Sequence, residues 1–152
     1  MSGKFRNGFT LIELLVLVAV LSITAAIAIP SFSRLIESNQ LTTTNNDLVG
    51  ALNMARAEAV RSGTPMTLEP NPTFTARYRV TNDAGAVIND FEGASGTFAI
   101  TLLDSGNPRF SATGLLLGGV PRFQICRASG EAGTEVTLTA GGQIRSARIT
   151  CP

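Results

Sequence analysis

The sequence predicts an α+β fold: a long N-terminal α-helix, membrane-spanning in its first half, packed against a C-terminal antiparallel β-sheet head. Three observations predict it. Phe9 to Ile29 reads FTLIELLVLVAVLSITAAIAI with Glu13 as its one charge. A helical apolar face then continues to about Ser62, and beyond Pro65 the pattern changes to alternation broken by Gly, Ser, Pro and Asn clusters. The 152 residues suit one core with an appended segment. Lys and Arg number 12 against 11 acids, so the net charge of +1 provides no general attraction to nucleic acid or an anionic surface. The chain has 0 histidines, which removes the usual general base, the Ser-His-Asp and Cys-His arrangements and the commonest zinc ligand. An enzyme is not expected, and neither a cofactor nor a metal.

Residues 1–8, MSGKFRNG, form a short basic leader. Lys4 and Arg6 keep that end cytoplasmic by the positive-inside rule, so the rest of the chain is exported. Residues 9–29 would make a helix of about 32 Å, enough for a hydrocarbon core of about 30 Å. An ionised carboxylate in such a helix costs on the order of 2.5 to 3.5 kcal/mol and marks a function. The competing reading is a secretory signal peptide cut at Ala26-Ile27-Ala28, which predicts a soluble product beginning at Ile29 and leaves Glu13 without a purpose.

In residues 30–62, Leu41, Leu48, Leu52, Ala55 and Ala59 share one helical face. Arg56, Glu58 and Arg61 lie off it, with Arg56 and Glu58 expected to be solvated. Gly63 and Pro65 stop the helix near Ser62. Pro30 removes one backbone hydrogen bond and is the expected kink. A continuous helix from Phe9 to Ser62 would run about 80 Å, too long for the head at 63–152 to bury. Its first half must find lipid or sister helices.

Within the head, Thr73 to Val80 alternates, with Phe74, Ala76, Tyr78 and Val80 on one face. Asn82 to Gly85 is a turn and Ala86 to Ile88 a returning strand. Further strands are expected at Thr97–Leu103 (Phe98, Ile100 and Leu102 inward), Phe123–Cys126, Glu135–Thr139 and Gln143–Thr150, in one antiparallel sheet. Asp90 and Glu92, the nearest carboxylate pair, read as a polar loop. Cys126 and Cys151 are the only cysteines, and an even count in an exported segment favours a disulfide over a two-thiolate metal site. Closing the 24-residue loop between them is worth roughly 3 to 4 kcal/mol and pins the last strand to the one carrying Cys126.

Gly8-Phe9-Thr10-Leu11-Ile12-Glu13-Leu14-Leu15, followed by Ala28-Ile29-Pro30, resembles the class III signal and N-terminal helix of type IV pilins and type II secretion pseudopilins. The resemblance implies the pilin fold, cleavage by prepilin peptidase between Gly8 and Phe9, and methylation of the new Phe9 amine. It also implies pairing of Glu13 with the N-terminal ammonium of a neighbouring subunit, so that the charge is compensated on assembly. The domains become a leader (1–8), a transmembrane and assembly helix (9–29), an amphipathic helix (30–62) and a β-rich periplasmic head (63–152).

Leu48 to Arg61, with its A-R-x-E-A-V run, and Phe123 to Cys151 resemble the GspH/FimT family of pseudopilins and minor pilins, with 64–122 least constrained. That implies a minor pilin of the pilus-priming or tip complex, held in the bacterial inner membrane with a periplasmic head. Its partners would be other minor pilins, the major pilin and the peptidase. A disulfide is a feature of FimU-type minor pilins as well. Two alternatives stay open. One is a type II secretion pseudopilin; the other is a DNA-binding competence pilin of the FimT type. That type carries a G-R-x-R motif, matched here by Gly142-Gln143-Ile144-Arg145, where Gln143 replaces the first arginine and contributes no charge. Arg145 and Arg148 are the candidate phosphate contacts, yet strand parity points them to opposite faces unless a bulge realigns them.

Overall fold

The computed structural model describes residues 9–104 and 106–152; the leader 1–8, with Gly8, lies outside the described residues. One helix, α1, runs Leu11–Ser62 and ends before Gly63, whose φ of 67° is the left-handed value that terminates helices. The chain divides into two units, Met1–Glu37 and Ser38–Pro152.

In the first unit the apolar side chains from Leu11 to Ile36 are all exposed, which places none of them in a core of this chain. The helix is long and apolar enough here to cross a membrane. Its hydroxyls are satisfied locally: Ser22 donates to the Val18 carbonyl at 2.7 Å, and Thr24 to those of Leu21 and Val20 at 2.9 and 3.1 Å. The helix continues through Pro30.

The second unit is built on the last turns of α1. Thr44, Leu48, Ala51, Leu52, Ala55 and Ala59 are buried, the stripe that the spacing of Leu48, Leu52, Ala55 and Ala59 predicts. Among the described residues nine strands follow: β1 (Met66–Pro70), β2 (Arg77–Asn82), β3 (Val87–Glu92), β4 (Ala99–Leu102), β5 (Arg109–Phe110), β6 (Leu116–Leu117), β7 (Arg122–Cys126), β8 (Ala132–Leu138) and β9 (Ile144–Thr150). They form two antiparallel sheets, β3-β2-β1-β5-β6 and β4-β7-β8-β9, instead of one. Both contribute to the core: Phe74, beside the first sheet, meets Phe123 of β7 edge to face at 5.1 Å, while Tyr78 of β2 stacks on Phe91 of β3 at 5.7 Å.

Several expected elements differ. Thr73 to Ala76 is a turn, not the first half of a strand, and Ala76 is exposed while Phe74, Tyr78 and Val80 are buried. The alternation there is coincidental, because the turn closes through the Thr73 carbonyl, which accepts from the Ala76 and Arg77 amides at 3.1 and 3.0 Å. The returning strand β3 runs on to Glu92, so Asp90 and Glu92 belong to a strand and both face Arg77, at 3.6 and 3.3 Å. The turn also joins the sheets. The Thr75 hydroxyl accepts from the Ile100 amide at 2.9 Å and donates to the Ile100 carbonyl at 3.2 Å, engaging the outward groups of that residue on the edge of β4.

Candidate functional site

At the start of α1, Thr10 occupies the N-cap position. Its amide and hydroxyl both donate to Glu13 Oε2 at 2.9 Å, and the Glu13 amide donates back to Thr10 Oγ1 at 3.3 Å. This is a capping box, in which a Thr and a Glu three residues on satisfy each other's orphan backbone donors. It holds the carboxylate at the helix terminus, where the positive end of the helix dipole favours an anion. Phe9, Ile12, Val16 and Val20 line a shallow apolar trough alongside, with Glu13 its ionisable member. Thr10 is the residue that sequence reasoning missed, although Thr-x-x-Glu before an apolar run is itself a helix-start signal.

In the head, the disulfide is present: Cys126 and Cys151 are joined with Cα atoms 5.9 Å apart. It does not join neighbouring strands. β8 lies between β7 and β9, and the bridge passes over Gly133 of β8, where an added Cβ would lie 2.5 Å from Cys151 Sγ and 2.6 Å from the Ile125 carbonyl oxygen. Only glycine fits beneath it.

Arg56 is not solvated, contrary to the expectation. Its Nε donates to the Gly114 carbonyl at 2.9 Å and its Nη2 to the Gly141 carbonyl at 3.2 Å, from turns 58 and 85 residues further along the chain. These turns, Ser111–Gly114 before β6 and Thr139–Gly142 before β9, belong to different sheets and meet at this guanidinium. The Leu116 amide reinforces the junction by donating to the Ala140 carbonyl at 3.1 Å. Glu58 also has a partner, Arg61, whose hydrogen bond holds its carboxyl below the ordinary value of 4.5. Arg127 lowers Glu131 in the same way. Burial pushes the Tyr78 phenol upward, with the charge of Asp47 adding to it.

The candidate nucleic-acid residues are less convergent. Gln143 sits in the turn before β9, its amide donating to Thr139 Oγ1 at 3.2 Å. β9 pairs with β8 in unbroken register, Arg145 opposite Thr137 and Arg148 opposite Thr134, so no bulge realigns the two arginines and they stay on opposite faces. Among the described residues, no group of three or more His, Cys, Asp or Glu is placed to hold a metal ion.

An apolar helix headed by a capped carboxylate, carrying a two-sheet head closed by a disulfide, defines a pilin-like subunit. Residues 3–29 match the prokaryotic N-terminal methylation motif. Residues 44–150 match GspH, the type II transport protein, and the chain belongs to this GspH family, with the fold of a type IV minor pilin. It is 27% identical over 120 residues to the type IV major alpha-pilin of Moraxella bovis, covering 71% of this chain and 76% of that protein. A fimbrial protein of Pseudomonas aeruginosa is 38% identical over 72 residues, covering 47% of this chain and 46% of that one, so the chain spans about half of its length. Among solved structures, the type IV minor pilin FimU of Pseudomonas aeruginosa PAO1 superposes with a TM-score of 0.65 at 20% identity, covering 72% of this chain and 89% of that chain. A second crystal form gives 0.62 at 19% identity, covering 70% and 92%.

Proposed function

We propose that this chain is a minor type IV pilin, a structural subunit of the pilus-priming or tip complex. Prepilin peptidase cuts it between Gly8 and Phe9 and methylates the Phe9 amine. Before assembly it resides in the inner membrane with 9–29 spanning, 30–62 leading into the head and 63–152 in the periplasm. It enters the filament by withdrawing the apolar helix from lipid into a bundle of sister helices. The work is packing and charge pairing, and no catalysis is assigned to it.

The observation that carries this reading is the head of α1, where a lone carboxylate sits at the terminus of an exposed apolar helix. In the unassembled subunit the Thr10 capping box partly satisfies that carboxylate. A sister subunit's terminal ammonium supplies the opposite charge that the box lacks, which favours association in a medium where an unpaired ion is costly. The FimU likeness and the pilin relatives support a pilus. The GspH family description favours a second reading, a pseudopilin of type II secretion, with the same processing and helix chemistry but different partners.

Sheared filaments analysed by mass spectrometry test the proposal. The expected result is a trace subunit beginning at N-methylated Phe9. Gly8 substitution should leave an uncut precursor. Glu13→Val should insert in the membrane yet be depleted from filaments at least tenfold. Normal incorporation of Glu13→Val would overturn the pairing role. Intact pili with lost secretion in a deletion strain would decide for the second reading.

A further inference from the structure

Within Ser38–Pro152 nearly every arginine has a partner. Arg61, Arg77, Arg79, Arg109, Arg122 and Arg127 pair with carboxylates, and Arg56 with two carbonyls. Arg145 and Arg148 have none among the described residues, and both lie on β9.

Among the described residues β9 is also the one long, uninterrupted sheet edge left open. Thr75 engages the outward groups of Ile100 on the edge of β4. β6 has two residues, and the pairing of β3 with β2 shifts register between Val80 and Thr81, which interrupts that edge. β9 has seven residues, no proline and no bulge. Its outward groups follow from the ladder. Thr139 donates to the Gln143 carbonyl at 2.9 Å and Cys151 to the Glu131 carbonyl at 2.8 Å. Odd-numbered residues of β9 therefore bond to β8, and the amides and carbonyls of Ile144, Ser146, Arg148 and Thr150 point away from the sheet.

We propose that β9 receives an extended acidic segment of another chain in the assembly as a fifth, antiparallel strand of its sheet. Main-chain hydrogen bonds to Ile144, Ser146, Arg148 and Thr150 hold the incoming strand. Because the arginines lie three residues apart on opposite faces, the residues directly across from them also lie three apart and alternate in face. The partner must carry acids at positions i and i+3. The acids of this chain, at 13, 37, 47, 58, 69, 83, 90, 92, 104, 131 and 135, include no two separated by three, so a second copy does not meet the requirement. A DNA backbone following one face of the sheet would reach only one of the two arginines. The assignment rests on the subunit reading above for where its partner is found, but its test requires no filament.

The test uses the full chain in detergent and a fluorescent peptide, Thr-Val-Glu-Val-Thr-Glu-Val, whose third and sixth residues fall opposite Arg148 and Arg145. Binding is read by anisotropy. Ser146→Pro removes an outward amide without touching the β8 ladder and should weaken binding about tenfold. A peptide of the same composition with acids at i and i+2 should bind about fivefold more weakly. Arg145→Glu combined with Arg148→Glu should reject the acidic peptide and accept its lysine counterpart, which keeps the test decisive if Ser146→Pro does not fold. Absence of binding, indifference to acid spacing, or failure of the charge swap would overturn the proposal. So would duplex DNA binding that needs both arginines and ignores Ser146→Pro, which would give them to nucleic acid.

Discussion

Arg56→Ala tests the junction between the two sheets most directly. The substitution removes two hydrogen bonds from a cation to carbonyls, at 2.9 and 3.2 Å. Their losses differ. Gly141 is exposed, and water replaces the lost donor there at little cost. Gly114 is buried, and its carbonyl loses a charge-assisted bond worth about 1.5 to 3 kcal/mol. The sum is close to 2 kcal/mol, or roughly 8 °C in Tm for a domain of this size. Thermal unfolding followed by circular dichroism would measure it, and hydrogen exchange would localise it. The Leu116 amide, bonded to the Ala140 carbonyl across the junction, should exchange faster, while the Ile125 amide in the middle of β7 should change only with global stability. Arg56→Lys should recover part of the loss, since one ammonium lacks the planar fork that serves two carbonyls. A loss under about 0.5 kcal/mol for Arg56→Ala, or an unchanged Leu116 exchange rate, would refute the reasoning.

Replacing both cysteines by serine should cost about 3 kcal/mol by the chain-entropy model, checked by urea denaturation of the oxidised wild type against the variant. Gly133→Ala should leave a large fraction of free thiol under conditions that oxidise the wild type, counted by alkylation and mass spectrometry, because the new methyl group competes with Cys151 Sγ for space. Thr75→Val keeps the shape but removes both bonds to Ile100, and should lower stability by about 1 to 2 kcal/mol in the same denaturation assay. The carboxyls of Glu58 and Glu131 lie below 4.5 in the fold, so their contribution is fully present above pH 4.5 and is lost as the pH falls through their depressed values. Glu131→Gln should therefore be less stable than wild type at neutral pH and converge with it in acid, as read from Tm against pH.

The helix Leu11–Ser62 was the most legible element because the signals there are local. An apolar run, its single acid and the Gly63-Thr64-Pro65 stop each act within one or two turns, and α1 ends at Ser62 as the spacing predicts. The head was legible strand by strand but not in its pairing. Short β1 ends on Pro70, and β5 and β6 have two residues each, too few to show a period. Which strands share a sheet is decided by long-range pairings such as β1 with β5 and β4 with β7, and no local window of sequence contains both partners. Arg56 shows the same limit, since its acceptors are main-chain carbonyls that any residue could provide. β8 begins at Ala132, before the expected Glu135, because Gly133, a residue that normally signals a break in a strand, is required there by the bridge above it.

Thr75 has one more consequence. A sheet whose two flanks were both bare could recruit neighbours without limit, each newcomer offering a fresh margin to the next. Here a single hydroxyl caps Ile100 in the middle of the β4 flank, whereas the β9 flank carries no such cap among the described residues. On the β4 flank the Ile100 amide and carbonyl are already engaged within the chain by one methyl-bearing alcohol, so an incoming strand does not find that pair free.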